Sequence, residues 1–216
     1  ISVYKKPRVA IMTTGNELVD INTNPSPGKV VNSNGYSLAS LVIDCGGIPL
    51  MLGISKDNKS ALRKKFAAAL KADVIISSGG VSVGDYDFVK DIMAEMGNSM
   101  IFWQVAMRPG KPLAFGYIKG VPLFGLPGNP VSTMVSFEQF VRPYLLKIQG
   151  HKNIFRPSLK VVSAQALKKD AGIKQFLRAI VKKEKGKYVA KTTGDQGSGI
   201  LKSMVTANAL IAVSYT

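Results

Sequence analysis

Three short stretches place glycine or proline among polar residues at the end of an apolar run. They are TTGNEL (Thr13–Leu18), SSGGVSVGDYD (Ser77–Asp87) and GLPGNPVS (Gly125–Ser132). Gly79, Gly80 and Gly84, with Ser78 and Ser82, offer backbone N–H groups and hydroxyls under little steric cover, which is how loops cradle phosphate. The same glycines could equally serve as turn geometry between a strand and a helix. Thr14 and Gly15 repeat the pattern in the first stretch. In the third, Pro127 and Pro130 stiffen the backbone around Gly128. Asn129 stands where it would cap a helix whose positive end faces the same edge. In MRPGKP, Arg108 and Lys111 flank a Pro-Gly turn. An arginine suits bidentate contact with an oxyanion and a lysine suits a point-charge contact, although a solvated surface turn would look the same. Four carboxylates, Glu17, Asp57, Asp85 and Asp87, follow predicted strands. Beside a phosphate site, carboxylates are oxygen ligands for a hard cation such as Mg²⁺. Asp57 or Asn58 would also cap the helix that KDNKSAL begins, and Asp87 is a candidate cap as well.

Other chemistries lack their residues. The one histidine, His151, falls in a linker-like stretch, and the one cysteine, Cys45, sits in the apolar run LASLVIDCGG and reads as a small core residue. No Cys/His cluster is spaced for zinc, and GxGxxG is absent. A lone cysteine forms no internal disulfide, which suits a reducing compartment and a cytoplasmic location.

These loops need elements to position them. RVAIMTT, IPLMLGI, DVIISS, LAFGYI and VPLFGL read as strands, and DVIISS is apolar enough to be buried on both faces. Helical patterns lie between them: NSNGYSLASLVIDC, capped by Asn32 or Ser33; DNKSALRKKFAAALKA, with Leu62, Phe66, Ala69 and Leu70 on one face; YDFVKDIMAEMG; and the long NPVSTMVSFEQFVRPYLLKI. Repeated strand–helix–strand units predict a three-layer α/β domain around a mostly parallel sheet, with ligands at the carboxyl ends of the strands. The expected boundaries are an α/β domain over 1–148, a linker over 149–157 and a small all-β, barrel-like domain over 158–216. In the last, LKVVSAQAL, QFLRAIVKK, KYVAKTT and NALIAVSY read as strands.

The chain has 216 residues, 46% hydrophobic and 19% charged, with a formal net charge of +16. Residues 1–149 carry a net +6 and residues 150–216 a net +10. The tail attracts anions in general. It lacks the arginine–aromatic interleaving of single-strand binders, so nucleic acid is not the expected partner. No apolar run approaches the length of a membrane span.

TTGNEL, NSNGYSLASLV, ADVIISSGGVSVGDYDFVK, RPGKPLAFG and FGLPGNPVS, in this order, resemble the molybdopterin molybdenumtransferases, the MoeA and gephyrin E-domain family. TTGDQGSGILKSMVTAN resembles the C-terminal barrel domain of that family. The resemblance implies a molybdopterin-binding α/β domain followed by a β-barrel domain. The activity it implies is insertion of molybdenum from molybdate into adenylylated molybdopterin, with release of AMP, in a step dependent on Mg²⁺ or another divalent cation. On this reading Glu17, Asp57 and Asp87 serve catalysis and the metal. Thr14, Gly15, Ser78, Gly79, Gly80, Ser82, Gly84, Arg108, Lys111, Pro127, Gly128, Asn129, Pro130 and Ser198 bind substrate. Gln104 joins Arg108 and Lys111 in the stretch implied to meet anions. The sequence departs from the family pattern at Asn16, commonly Asp, at Gln104, often Lys, and at Arg108, commonly Lys. The resemblance further implies a homodimer in the full-length protein and contact with other molybdenum-cofactor synthesis proteins. The chain reads as a C-terminal half that folds and binds ligand but turns over poorly. The rival readings are an adenylyltransferase sibling on the same fold, a non-enzymatic ligand-binding or scaffold module, and a basic nucleic-acid binder.

Overall fold

Alternating apolar residues along RVAIMTT bury both sides of the first strand, and the rest of the larger sheet follows from that strand. The computed structural model describes residues 1–80 and 88–213. The first part of the chain forms β1 (Arg8–Thr14), β2 (Leu18–Val19), β3 (Val30–Val31), α1 (Ser33–Asp44), β4 (Ile48–Ser55), α2 (Lys59–Ala69), β5 (Val74–Ser78) and α3 (Phe88–Glu95). It continues with β6 (Asn98–Gln104), β7 (Met107–Arg108), β8 (Pro112–Ile118), β9 (Val121–Leu126), α4 (Pro130–Ser136) and α5 (Arg142–Ile148), the two helices joined by a π-helical turn over Phe137–Val141. The remainder forms β10 (Val162–Ser163), β11 (Lys174–Glu184), β12 (Lys187–Thr192), α6 (Lys202–Thr206) and β13 (Ala209–Val213).

Six strands form one sheet in the order β4-β1-β5-β9-β8-β6. The first four are mutually parallel, while β8 and β6 run antiparallel to their neighbours. The sheet is therefore mostly parallel, as expected. The antiparallel edge arises because Lys119-Gly120, both at positive φ, close a two-residue turn between β8 and β9 where a helical crossover was not available. On one face Ala10, Met12, Ile75 and Leu123 pack against Leu62 and Phe66 of α2 and Ile92 of α3. On the other, Val9, Ile11, Ile76 and Phe124 pack against Leu38 and Val42 of α1 and against Phe137, Val141 and Leu145. These are the three layers read from the sequence. Fully buried Phe66 alone contributes about 2–3 kcal/mol by leaving water.

The second sheet runs β10-β12-β11-β13, and β7 also pairs with β11. Ala179 pairs with both Thr192 and Ala209, so β12 and β13 flank opposite edges of β11. β12 ends at that point. The free first half of the same β11 edge takes β7, through Lys174↔Met107 and Gln175↔Arg108. The stretch Met107–Pro112 is thus no free surface turn: its start is a strand of the C-terminal sheet. Of LKVVSAQAL only Val162–Ser163 is strand.

The segment 149–157 is clamped on the helices. Arg156 binds Glu138 through two nitrogens, both at 3.1 Å, and reaches Asp44 at 3.4 Å. Arg142 Nη1 donates to Ile154 O at 2.9 Å, and Gln149 Nε2 donates to Cys45 O and Leu145 O, each at 2.9 Å.

Candidate functional site

The parallel strands β1, β5 and β9 open at their carboxyl ends onto a cleft of about 800 Å³. Thr14, Gly15 and Glu17 line it from the β1 loop, Asp57 from the β4 loop and Gly79 and Gly80 from the β5 loop. Pro127, Gly128, Asn129 and Pro130 line it from the β9 loop. Four loops far apart in sequence are gathered on one edge, as the strand pattern required.

Gly79 forms the seam between them. Its φ is +88°, and a Cβ there would stand 2.4 Å from Thr14 O. Its N–H donates to Leu126 O at 3.0 Å. Geometry alone requires this glycine, and the same close approach leaves the cleft floor as bare backbone. Ser78 lies beneath that floor, 2% exposed, with its hydroxyl donating to Pro127 O at 3.0 Å. It braces the loop and does not line the cleft. Ser82, Gly84, Asp85 and Asp87 lie outside the described residues.

The helix cap at the start of α2 is Asn58, whose Oδ1 accepts from Ala61 N at 2.8 Å. Asp57 is released from that duty and turns to the end of β1. Its Oδ1 accepts from Thr14 Oγ1, and its Oδ2 accepts from Asn16 N at 3.0 Å. Asn16 Oδ1 in turn accepts from Asp57 N at 3.2 Å. Asparagine at position 16 suits this lock, because an aspartate side chain there would have stood beside the Asp57 carboxylate. The carboxylate of Glu17 folds back over Gly15, where a Cβ would come within 2.5 Å of Oε1. Two carboxylates therefore face one cleft. They are oxygen donors, the chemistry a divalent cation takes. Among the described residues no group of three His, Cys, Asp or Glu could hold a metal, so Glu17 and Asp57 form a partial set.

Asn129 occupies the N-cap position of α4 with Pro130 after it, as expected, but its side chain makes no capping bond. The N–H of Val131 instead donates to Ser198 O at 3.0 Å, a carbonyl from the loop before α6. That main-chain cap frees the Asn129 amide for the cleft wall.

A second cleft, about 630 Å³, opens between the two sheets and shares Pro112 and Ser132 with the first. Arg108, Lys111 and Ser198 line this one. The sequence had grouped them with the glycine loops; the pairing of β7 with β11 carries them to the adjoining space. Arg108 is exposed and paired with Asp170 at 2.5 Å. Gln104 is exposed at the end of β6 and lines neither cleft.

Arg178, which sequence reasoning missed, is 1% exposed and lines the second cleft. Its Nε donates to Ser203 Oγ at 3.1 Å and its Nη2 to Gly197 O at 2.9 Å. Burial pushes its pKa below the ordinary arginine value, and the Asp195 carboxylate acts in the opposite direction. Its two side-chain hydrogen bonds go to neutral groups, and the Asp195 carboxylate shares the cleft wall with it, so a buried guanidinium lines this cleft without a direct carboxylate partner in those two bonds. The only sequence signal was one charge inside the apolar run QFLRAIV. Ser132, 5% exposed and common to both clefts, was also missed.

Comparison with known proteins identifies the family. Residues 10–147 match the family model "Probable molybdopterin binding domain", and residues 160–214 match the MoeA C-terminal region, domain IV. A molybdopterin molybdenumtransferase of a Nostoc species is 41% identical over 97% of this chain and 50% of its own length. Another from Haemophilus influenzae is 35% identical over 99% of this chain and 53% of its own length. The crystal structure of a molybdopterin biosynthesis MoeA protein from Pyrococcus horikoshii superposes with a TM-score of 0.81 at 30% identity, covering 98% of this chain and 51% of that one. The chain thus spans about half the length of the curated relatives it matches. The molybdopterin-binding domain model covers well over half of the residues, and the MoeA C-terminal region follows it in order, so the chain belongs to the MoeA family.

Proposed function

We propose that this chain binds adenylylated molybdopterin in the first cleft and molybdate in the second, and serves the insertion of molybdenum into the dithiolene with release of AMP. The observation that carries the reading is the shared wall. A glycine-floored cleft rimmed by Glu17 and Asp57 meets a cation-lined cleft holding Arg178 at Pro112 and Ser132. Two anionic substrates that must meet need such adjoining sites.

The bare backbone of Gly79, Gly80 and Gly128 lets the phosphorylated part of the pterin approach closely. Arg178, Lys111 and Ser132 hold the tetrahedral oxyanion at the common wall. In the reaction the phosphoanhydride P–O bond to AMP breaks, and water supplies the oxygen and protons that complete the two phosphate products. The dithiolene sulfurs replace oxygen ligands of molybdenum, which leave as water with the thiol protons. No change of oxidation state is required. Glu17 and Asp57 would hold Mg²⁺ or another divalent cation, with Asp87 as a third candidate. Such a cation offsets charge on the phosphates and polarises the bond that breaks. The protein's own part is to orient and to stabilise charge. We carry the homodimer, contact with other molybdenum-cofactor synthesis proteins and a cytoplasmic location as parts of the same proposal. Among the described residues no helix is long and apolar enough to cross a membrane.

Calorimetric titration with adenylylated molybdopterin and with molybdate, each with and without Mg²⁺, tests the binding. AMP release from the mixture tests turnover. Saturable binding of both substrates supports the proposal; binding of neither overturns it.

A further inference from the structure

Asn34, the second residue of α1, does not cap its own helix; Asn32 does, accepting from Gly35 N at 3.1 Å. The Asn34 amide nitrogen instead reaches three acceptors on other elements. They are Gly128 O at 2.7 Å, Ser78 Oγ at 2.9 Å and Thr133 Oγ1 at 3.2 Å. Both hydroxyls spend their own protons on main-chain carbonyls: Ser78 Oγ donates to Pro127 O at 3.0 Å, and Thr133 Oγ1 reaches Pro127 O at 2.6 Å and Asn129 O at 3.0 Å. Towards Asn34 they are therefore acceptors. This fixes the orientation of the amide, because a flip would set Oδ1 against the Gly128 carbonyl and two occupied hydroxyls. Only a side chain with two donors on one nitrogen satisfies the position. A hydroxyl has one donor, and a carboxylate has none.

The consequence lies in what the amide holds together. Gly128 and Gly79 are in contact across the cleft floor, with the Cβ position of Gly128 3.7 Å from Gly79 Cα. The Pro127–Gly128 backbone has no strand pairing of its own beyond Leu126, where β9 ends. Main-chain pairing joins the two ends as far as Leu126, through Gly79 N to Leu126 O at 3.0 Å; beyond it the Pro127–Gly128 backbone is held to the end of β5 through Ser78, Thr133 and the one amide that contacts both of them and Gly128.

We propose that Asn34 is the positioning residue of the first cleft. Its amide holds the Pro127–Gly128 backbone against the end of β5 at the spacing that the phosphorylated part of the ligand requires. This rests on the proposed function for the ligand, not for the latch. The mainly structural alternative is a bond that only adds stability.

The test uses the 216-residue chain, Asn34→Ala and the isosteric Asn34→Asp. The aspartate keeps the volume and puts an acceptor against Gly128 O. The probes are adenylylated molybdopterin and molybdate, with amide hydrogen exchange at Gly79 and Thr133 as a third readout. Both variants are expected to bind the adenylylated pterin about tenfold more weakly. Molybdate affinity should hold within about twofold, because the second cleft does not use Asn34. Exchange at Gly79 and Thr133 should quicken while that of Leu62 in the α2 core stays slow. Unchanged pterin affinity overturns the proposal, and so does an equal loss of both ligands with a collapsed melting temperature. If the wild-type chain binds no adenylylated pterin, the functional reading fails on its own. Exchange then decides the latch: faster exchange at Gly79 and Thr133 in the variants supports it, and unchanged exchange overturns it.

Discussion

At the scale of the residue, Arg178 carries the sharpest consequence. A guanidinium that is 1% exposed and bonded to neutral partners costs desolvation energy, which the nearby Asp195 carboxylate offsets only in part, since the net effect lowers its pKa. Replacing it by methionine keeps the volume and removes the buried charge. Arg178→Met is expected to weaken molybdate binding at least tenfold, about 1.4 kcal/mol or more, with only a modest fall in melting temperature, because the loss of a donor to Gly197 O is offset by removal of a buried charge. Calorimetry on both properties checks this; a much lower melting temperature with intact molybdate binding would make Arg178 a brace for Gly197 and Ser203. Gly79 has the opposite character. Gly79→Ala forces a Cβ to 2.4 Å from Thr14 O at φ +88°, which should cost about 2 kcal/mol or more of stability. Denaturant unfolding measures it, and a neutral result would mean that the β1 and β5 ends are free to part. The loop residues were legible in the sequence because glycines and carboxylates following apolar runs mark strand ends. Cys45 was legible as core: it is buried, and burial pushes its thiol up to about 11. Asp57 and Asn58 were not separable, since adjacent residues with equal capping ability differ only in backbone geometry. Arg178 was not legible because its meaning lies in Gly197 and Ser203, which the fold brings to it from about 20 residues away.

Among the elements, the central strands owe their position to their lower ends as well as to the site. Arg8 at the start of β1 donates its N–H to Asp73 Oδ2 at 2.7 Å, and Asp73 N donates to Arg8 O at 2.8 Å. The Arg8 guanidinium contacts the same carboxylate. Burial alone would raise the Asp73 pKa, but the Arg8 backbone N–H, the Arg8 side chain and Lys5 together hold it below the usual carboxylate value. A depressed folded-state pKa means stability that is present above the unfolded value, near 3.9, and is lost as pH falls through the folded value. Asp73→Asn is therefore expected to cost about 1 kcal/mol at neutral pH. The gap from wild type should begin to narrow below about pH 4 and close as pH falls through the lowered folded-state value of Asp73. Urea unfolding from pH 7 to pH 3 measures both curves, and a gap independent of pH would refute an electrostatic origin. Helices and buried strands were readable here because their periods are strong: Leu62, Phe66 and Ala69 repeat on one helical face and are buried together. The two-residue strands β2, β3, β7 and β10 were not readable, since pairing partners and not local pattern define them.

On the scale of the whole molecule, the two sheets are joined by main chain and not only by a linker. β7 leaves the α/β part to pair with β11, Lys174 N donates to Ala106 O at 2.9 Å, and Ser198 O caps Val131 N. Charge and composition could announce that the tail differs, with ten of its net charges on 67 residues, but not that its sheet edge is completed by Met107–Arg108. This joint sets the second cleft, whose walls come from both parts. Lys174→Pro removes the donor at the first rung of the joint and leaves every core side chain in place. The single tryptophan, Trp103, lies in β6 of the larger sheet and reports that part alone, whereas far-ultraviolet dichroism reports both. In the wild-type chain the two signals are expected to melt together. In Lys174→Pro they should separate, with the smaller sheet leading. Molybdate affinity should fall at least tenfold, because Arg178 and Lys111 no longer face one another across a fixed cleft. Binding of adenylylated molybdopterin should persist, since none of the residues lining its cleft comes from the C-terminal sheet. Coincident melting with unchanged molybdate binding in the variant would show that the side-chain contacts of Met107, Val131 and Phe176 hold the two parts together without the strand.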